Sequence, residues 1–160
     1  MHEYLIALGA NLGDREYYME QAIEAIRTSC GPILRRAPFI ETAPMGAADQ
    51  PFLNSAVICS CELEPSALLD RLMAIEKELG RTRDIRWGNR TIDCDIILWR
   101  RPPNDYPLMQ TAQLVIPHPE ALNRAFVLEP SAAIAGEWRH PTVDRTLAEL
   151  WQDWQDTRSV

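Results

Sequence analysis

Asp93 and Asp95 stand two residues apart in the run TIDCDIILW, residues 91 to 99. In a β-strand this spacing puts both carboxylates on one face, about 6.6 Å apart, with Thr91 beside them and Ile92, Cys94 and Ile96 on the other face. Aspartate is depleted in strands, and like charges on one face repel unless a cation or basic group offsets them. Two hard oxygen ligands without a neighbouring His, and with the one nearby Cys on the opposite face, suit magnesium, which keeps waters and leans on substrate phosphates; a solvated sheet face is the plain alternative. Just upstream, Arg81, Arg83, Arg86 and Arg90 are opposed only by Asp84, so this segment is basic in a chain whose net charge is −7. Guanidinium forks match phosphate oxygens in bidentate fashion, and arginines feeding into an Asp-x-Asp strand suggest a polyphosphate bridged between guanidinium groups and metal. A salt-bridge network with Glu76, Glu78 and Asp84 accounts for the loop taken alone; beside the acidic pair, nucleotide binding is the better reading.

Trp87 lies among those arginines, where an indole either packs back on the core or covers a planar ligand. Asn54 and Thr42 offer donors and acceptors able to read a heterocycle edge, or equally to cap turns. His118 sits between Pro117 and Pro119, which fix its backbone; this aims an imidazole and is also a common surface turn.

The elements that position these residues follow from periodicity. Tyr4 to Leu8 reads as a strand stopped by Gly9, and Asp14 opens a helix whose Met19, Ala22, Ile23 and Ile26 share a face before Gly31-Pro32. Ile33 to Thr42 reads as a second strand, followed by a turn-rich loop from Ala43 to Pro51, long enough to bind something. Phe52 to Leu63 is a third strand, and Pro65 starts a helix with Leu68, Leu69, Leu72, Ile75 and Leu79 as its stripe, ended by Gly80. With the strand through residues 91 to 99 the order is βαββαβ, the ferredoxin-like α+β arrangement with an antiparallel sheet. Beyond it come an extended LVIPHPE stretch, a helix through Phe126 to Ala135, and a last helix with Leu147, Leu150, Trp151 and Trp154 on one face. These additional strands and helices are expected to cover the open sheet.

At 160 residues, 46% hydrophobic and 24% charged, the chain is expected to be one domain over residues 1 to 160. The 23 acidic against 16 basic residues disfavour nucleic acid and anionic lipid as partners. Lys77 is the sole lysine and no GxxxxGK[ST] loop occurs, which removes that phosphate cradle. Cysteines 30, 59, 61 and 94 form no CxxC pair and read as reduced and buried. The N-terminal apolar stretch is too short for a signal or membrane span, so the expected location is the cytoplasm.

Five collinear stretches resemble the 6-hydroxymethyl-7,8-dihydropterin pyrophosphokinases: ALGANLGDR (7 to 15), ETAPMGAADQPFLN (41 to 54), IEKELGRTR (75 to 83), RWGNRTIDCDIIL (86 to 98) and IPHPEALNRAFVLEP (116 to 130). The fourth is the most specific, with an arginine, two residues and Asp-x-Asp entering an apolar strand. The resemblance implies a ferredoxin-like fold and transfer of pyrophosphate from ATP to the pterin, with two Mg2+ ions. By motif position it implies Asp93 and Asp95 as ligands of both metals, and Arg81 and Arg90 as catalytic contacts to the triphosphate. Arg83, Arg86 and His118 become further ATP contacts. Thr42, Pro44, Met45, Phe52, Asn54, Trp87, Arg124 and Phe126 become the pterin pocket, with Asn54 on the ring edge and Phe126 on its face. Glu76 matches a position near the active-site loops.

The chain departs from the usual pattern at Ala43, Phe52, Asn89, Gln113, Ser131 and Ala133, which bears on loop rigidity and ATP affinity more than on reaction type. The expected protein is a monofunctional, monomeric enzyme acting on small molecules. Its rivals are a paralogue that binds pterin or nucleotide without turnover, and an RNA-binding ferredoxin-like module, which the acidic charge balance opposes.

Overall fold

In a computed structural model of the chain, residues 1–42, 50–80 and 91–158 are described. Strand β1 (His2–Ala10) leads to helix α1 (Arg15–Ser29), then to β2 (Ile33–Arg36), β3 (Ile40–Thr42) and β4 (Phe52–Cys61), helix α2 (Pro65–Glu78) and β5 (Asp93–Arg100). Short strands β6 (Met109–Gln110) and β7 (Val115–Ile116) form a separate hairpin. A 3-10 turn at Ala121–Asn123 precedes helix α3 (Ala125–Ala135), and a second small hairpin, β8 (Arg139–His140) with β9 (Arg145–Thr146), leads into α4 (Leu147–Arg158).

The main sheet runs β2-β4-β1-β5, with β3 also on β4, and its pairs are antiparallel. This is the ferredoxin-like α+β order expected from the sequence, although β1 runs through Gly9 to Ala10 instead of stopping at Gly9. The expected single strand from Ile33 to Thr42 is two short ones, separated by Ala37, Pro38 and Phe39. Pro38 has no N–H for a ladder bond, while the Ala37 N–H still donates to the Ala56 carbonyl at 2.9 Å. The two pieces therefore sit one after the other along β4, β2 opposite Val57 to Cys59 and β3 opposite Phe52 to Asn54. The expected LVIPHPE extension is likewise a strand only at Val115–Ile116.

Local chemistry explains the helices. The Asp14 carboxylate accepts the Tyr17 N–H at 3.1 Å, capping α1. Met19, Ala22, Ile23 and Ile26 are its buried face. Helix α2 starts on Pro65, whose missing N–H costs nothing at that position, and buries Leu68, Leu72 and Ile75. Both helices pack on the sheet face that carries Tyr4, Ile6, Leu8, Val57, Cys94 and Ile96. The opposite face, with Leu5, Ala56, Ile58, Ile97 and Leu98, receives α3, Trp138 and Leu147. Ile97 and Leu98 are successive residues with the same neighbours because the β1–β5 register slips beside them, and such a bulge reverses which residues point to which face. Cys59, Cys61 and Cys94 are buried free thiols as expected, and Cys30 is half-exposed. Burial pushes the Cys59 thiol up to about 12, so it behaves as a small apolar group.

Gly31 closes α1 against β4. A Cβ there would lie 1.9 Å from the Ser60 carbonyl oxygen, a backbone atom that the sheet holds in place. Gly31→Ala is expected to cost about 3 kcal/mol or more, and a urea melt within 1 kcal/mol of the parent would refute this packing.

Candidate active site

Strand register brings the predicted residues into rows on the α3 side of the sheet. Across one row, Ile40 of β3 faces Asn54 of β4, which faces Gly9 of β1, which faces Asp93 of β5. In the next row Ala7 lies between Ala56 and Asp95. Residues directly opposed in an antiparallel sheet share a face, and Cys94 and Ile96 belong to the core on the other side, so Asp93 and Asp95 point to the same side as Asn54. Two strand spacings, about 9.6 Å, separate Asn54 from Asp93, and the residue between them has no side chain. A Cβ on Gly9 would meet the Asn54 Oδ1 at 3.1 Å and the Phe52 ring at 3.9 Å. Glycine here lets the Asn54 amide approach β1 closely, where any larger residue would crowd its Oδ1.

On the β4 side, the Asn54 amide donates to the Thr42 hydroxyl at 2.7 Å, and Thr42 is opposite Phe52 in the ladder. This bond turns the Nδ2 toward β3 and leaves Oδ1 toward Gly9. Asn54 is 5% exposed. The flanks of this wall are tied to the β1–α1 connection. The Asn11 amide donates to the Gln50 carbonyl at 3.2 Å, and the Gln50 amide donates back to the Asn11 carbonyl. The Arg15 guanidinium donates to the Pro51 carbonyl at 2.8 Å and to Glu41 at 3.4 Å.

On the β5 side, both aspartates are half-buried. The Glu76 carboxylate of α2, 7% exposed, accepts the Cys94 N–H at 2.7 Å. A charge-assisted bond to the peptide between the two aspartates fixes the backbone that presents them. The arginine-loop network considered for Glu76 is thus not its only role. Among the described residues no three His, Cys, Asp or Glu side chains gather into a metal-binding group. Two carboxylate donors suit a hard cation that completes its shell with water and substrate oxygens, as magnesium does.

His118 closes this end. Its N–H donates to the Ile97 carbonyl at 2.9 Å, two residues past Asp95. Its Nδ1 accepts the Glu120 N–H at 3.1 Å, which leaves the proton of the neutral ring on Nε2, free to be a donor. Burial, then the Arg124 cation, hold His118 below its ordinary value, while Glu120 and Asp93 pull the other way. Arg124 precedes α3 and its guanidinium lies 5.7 Å from the centre of the Phe126 ring. His118, Arg124 and Asp93 are thus electrostatic neighbours.

Strand register sets Thr42, Phe52, Asn54, Asp93 and Asp95 on one sheet face, and His118 is within electrostatic reach of Asp93 and of Arg124, whose guanidinium lies over Phe126. Pro44, Met45, Arg81, Arg83, Arg86, Trp87 and Arg90 lie outside the described residues. Sequence reasoning assigned no role to Gly9, Ala7, Asn11, Arg15 or Gln50. Gly9 carried a signal, since glycine within a strand marks a close approach; the hydrogen-bonding roles of Arg15 and Gln50 had none.

A histidine held neutral by burial makes folding less favourable in acid. The unfolded chain binds the proton near pH 6.5 and the folded one only below that, so stability is expected to fall as pH drops through about 6.5 and to level off once the folded form is protonated. His140 is lowered by burial too and adds in the same sense. His118→Asn should flatten the slope between pH 7 and 5 in urea melts; an unchanged slope would refute the half-buried neutral ring.

The model of the family 7,8-dihydro-6-hydroxymethylpterin-pyrophosphokinase (HPPK) matches residues 5–136. A Bacillus subtilis 2-amino-4-hydroxy-6-hydroxymethyldihydropteridine pyrophosphokinase is 45% identical over 131 residues, covering 81% of this chain and 75% of its own. The Pseudomonas aeruginosa protein of the same description is 40% identical over 147 residues, covering 91% of this chain and 87% of its own. Among solved structures, an HPPK-DHPS in complex with substrates superposes with a TM-score of 0.77 at 13% identity, over 98% of this chain and 46% of that one. The chain thus spans just under half of that solved polypeptide, and the likeness there is one of fold. With the family model covering most of the residues and both relatives matched over at least three quarters of their length, the chain belongs to the 7,8-dihydro-6-hydroxymethylpterin-pyrophosphokinase family.

Proposed function

We propose that this chain transfers pyrophosphate from ATP to the hydroxymethyl oxygen of 6-hydroxymethyl-7,8-dihydropterin, releasing AMP, as a step of folate synthesis. The observation that carries the reading is the row Asn54–Gly9–Asp93, with an amide able to read a heterocycle edge at one end and a carboxylate able to bind a cation at the other. Family membership supplies the reaction class. The domain spans residues 1 to 160 and acts as a monomer on small molecules in the cytoplasm.

Asn54 Oδ1, Thr42 and Phe52 form the wall that takes the pterin edge, Phe126 lies on its ring face, and Pro44, Met45, Trp87 and Arg124 complete the pocket. The hydroxymethyl oxygen then points along the sheet toward β5. Asp93 and Asp95 hold two magnesium ions, which when bound neutralise phosphate charge and lower the pKa of the attacking alcohol. Arg81 and Arg90 contact the triphosphate and stabilise charge during transfer, with Arg83, Arg86 and the Nε2–H of His118 as further contacts. Attack at the β-phosphorus forms the new P–O bond and breaks the bond to the α-phosphate oxygen, which leaves on AMP. Such transfers need positioning and charge stabilisation more than a strong base, in keeping with a site whose neutral histidine donates a proton in a hydrogen bond. Arg124, stacked on Phe126, adds positive charge beside His118.

The decisive experiment is AMP formation from ATP, magnesium and the dihydropterin, with Asp95→Ala alongside. The unmutated protein should make AMP only with both substrates, and the variant should turn over at least about 100-fold more slowly; a loss under threefold would sink the metal assignment. Pterin quenching of tryptophan fluorescence without AMP would favour a binding paralogue instead. Gly9→Ala should weaken pterin binding about tenfold and leave nucleotide affinity within twofold, because its methyl group would press on the Asn54 Oδ1. Equal losses for both ligands in titration calorimetry would contradict that placement.

A further inference from the structure

Arg15 is the first residue of α1, at the end of a turn where Gly13 takes a positive φ of 65° and Asp14 caps the helix. Both features fix where the helix begins and so where this side chain emerges. Its guanidinium uses two different nitrogens on two chain segments far apart in sequence. Nη1 donates to the carbonyl of Pro51, the residue before Phe52, at 2.8 Å. Nη2 donates to the carboxylate of Glu41, the residue before Thr42, at 3.4 Å. Thr42 and Phe52 face each other in the β3–β4 ladder, and Thr42 holds the Asn54 amide. Arg15 grips both segments at once, and the Asn11–Gln50 pair ties the later one to the end of β1.

We propose that Arg15 is a positioning residue that sets the spacing of the segments bearing Thr42 and Phe52, and through it the affinity for the heterocyclic substrate. This rests on the pterin reading of the site given above. A planar guanidinium suits the task because its rigid fork holds two acceptors in a fixed relation, whereas a lysine ammonium is a single point on a flexible stem. The β5 end, with Asp93 and Asp95, is built separately by Glu76 and the β1 register. Arg15 therefore acts on one substrate and not the other.

The test measures two ligands on the same proteins by titration calorimetry. One is a non-hydrolysable α,β-methylene analogue of ATP with magnesium; the other is 6-hydroxymethyl-7,8-dihydropterin, added to protein saturated with that analogue. For Arg15→Ala the pterin Kd should rise about tenfold while the nucleotide Kd stays within twofold, and KM for pterin should rise with kcat changed less than threefold. Arg15→Lys should recover less than half of the loss in log Kd, and Glu41→Gln should cost pterin affinity about two- to threefold. Unchanged pterin affinity, or equal losses for both ligands, overturns the proposal. Should Arg15→Ala fail to fold by circular dichroism, Arg15→Lys decides, with a pterin-selective loss of at least twofold required. If the unmutated protein binds no pterin, the proposed function falls and the role of Arg15 with it; if it binds and the variants bind equally well, only the role of Arg15 falls.

Discussion

Strand β1 is hydrogen-bonded between β4 and β5, and its register sets the distance from the Asn54 side of the site to the aspartate side. A sheet allows no continuous adjustment here. Slipping β1 by one residue would turn its own side chains to the other face, bringing Tyr4, Ile6 and Leu8 to the site side and taking Gly9 out of the row between Asn54 and Asp93. The apolar residues of β1 hold that register. Tyr4, Ile6 and Leu8 face one helical layer while Leu5 faces the other. Ala7 and Gly9, the two smallest residues on the site face, fall where the strand passes between the two functional walls.

Each wall then needs its own support, because the carboxylates are half-buried, the Asn54 amide is buried, and their backbones must be held without a ligand. On β5, Glu76 reaches from α2 to the peptide N–H between the aspartates. That carboxylate is itself deeply buried, so its bonds offset a desolvation cost. On β3 and β4, the Thr42–Asn54 bond and the Asn11–Gln50 and Arg15 contacts tie the wall to the start of α1. One helix therefore supports each side, and the supporting residues lie on the face opposite the site or at its edge.

The second helical layer has a different task. Helix α3 covers Ala56 and Ile58 of the sheet and stops, at its N-terminal end, beside His118, Arg124 and Phe126. Ser131 in α3, one of the departures from the family pattern, is buried with no partner for its hydroxyl among the described residues, yet the helix forms from Ala125 to Ala135. Its cost is borne by the surrounding apolar packing.

The order of elements, the helix faces and the side of the strand that Asp93 and Asp95 share were legible in the sequence, since periods of two and 3.6 and the caps at Asp14 and Pro65 act through neighbours along the chain. So was the chemistry of the acidic pair, because residue type and spacing suffice to state what two carboxylates on one face can bind. The break at Pro38 was written in the chain but passed over, and the slip beside Ile97 left no local mark. That Gly9 lies between Asn54 and Asp93, that Glu76 grips the Cys94 N–H, and that Arg15 spans Glu41 and Pro51 were decided only by tertiary structure. The reason is physical: these relations join residues tens of positions apart, and which pairs meet depends on a strand register fixed by the packing of both sheet faces together, a quantity no local pattern of residues contains.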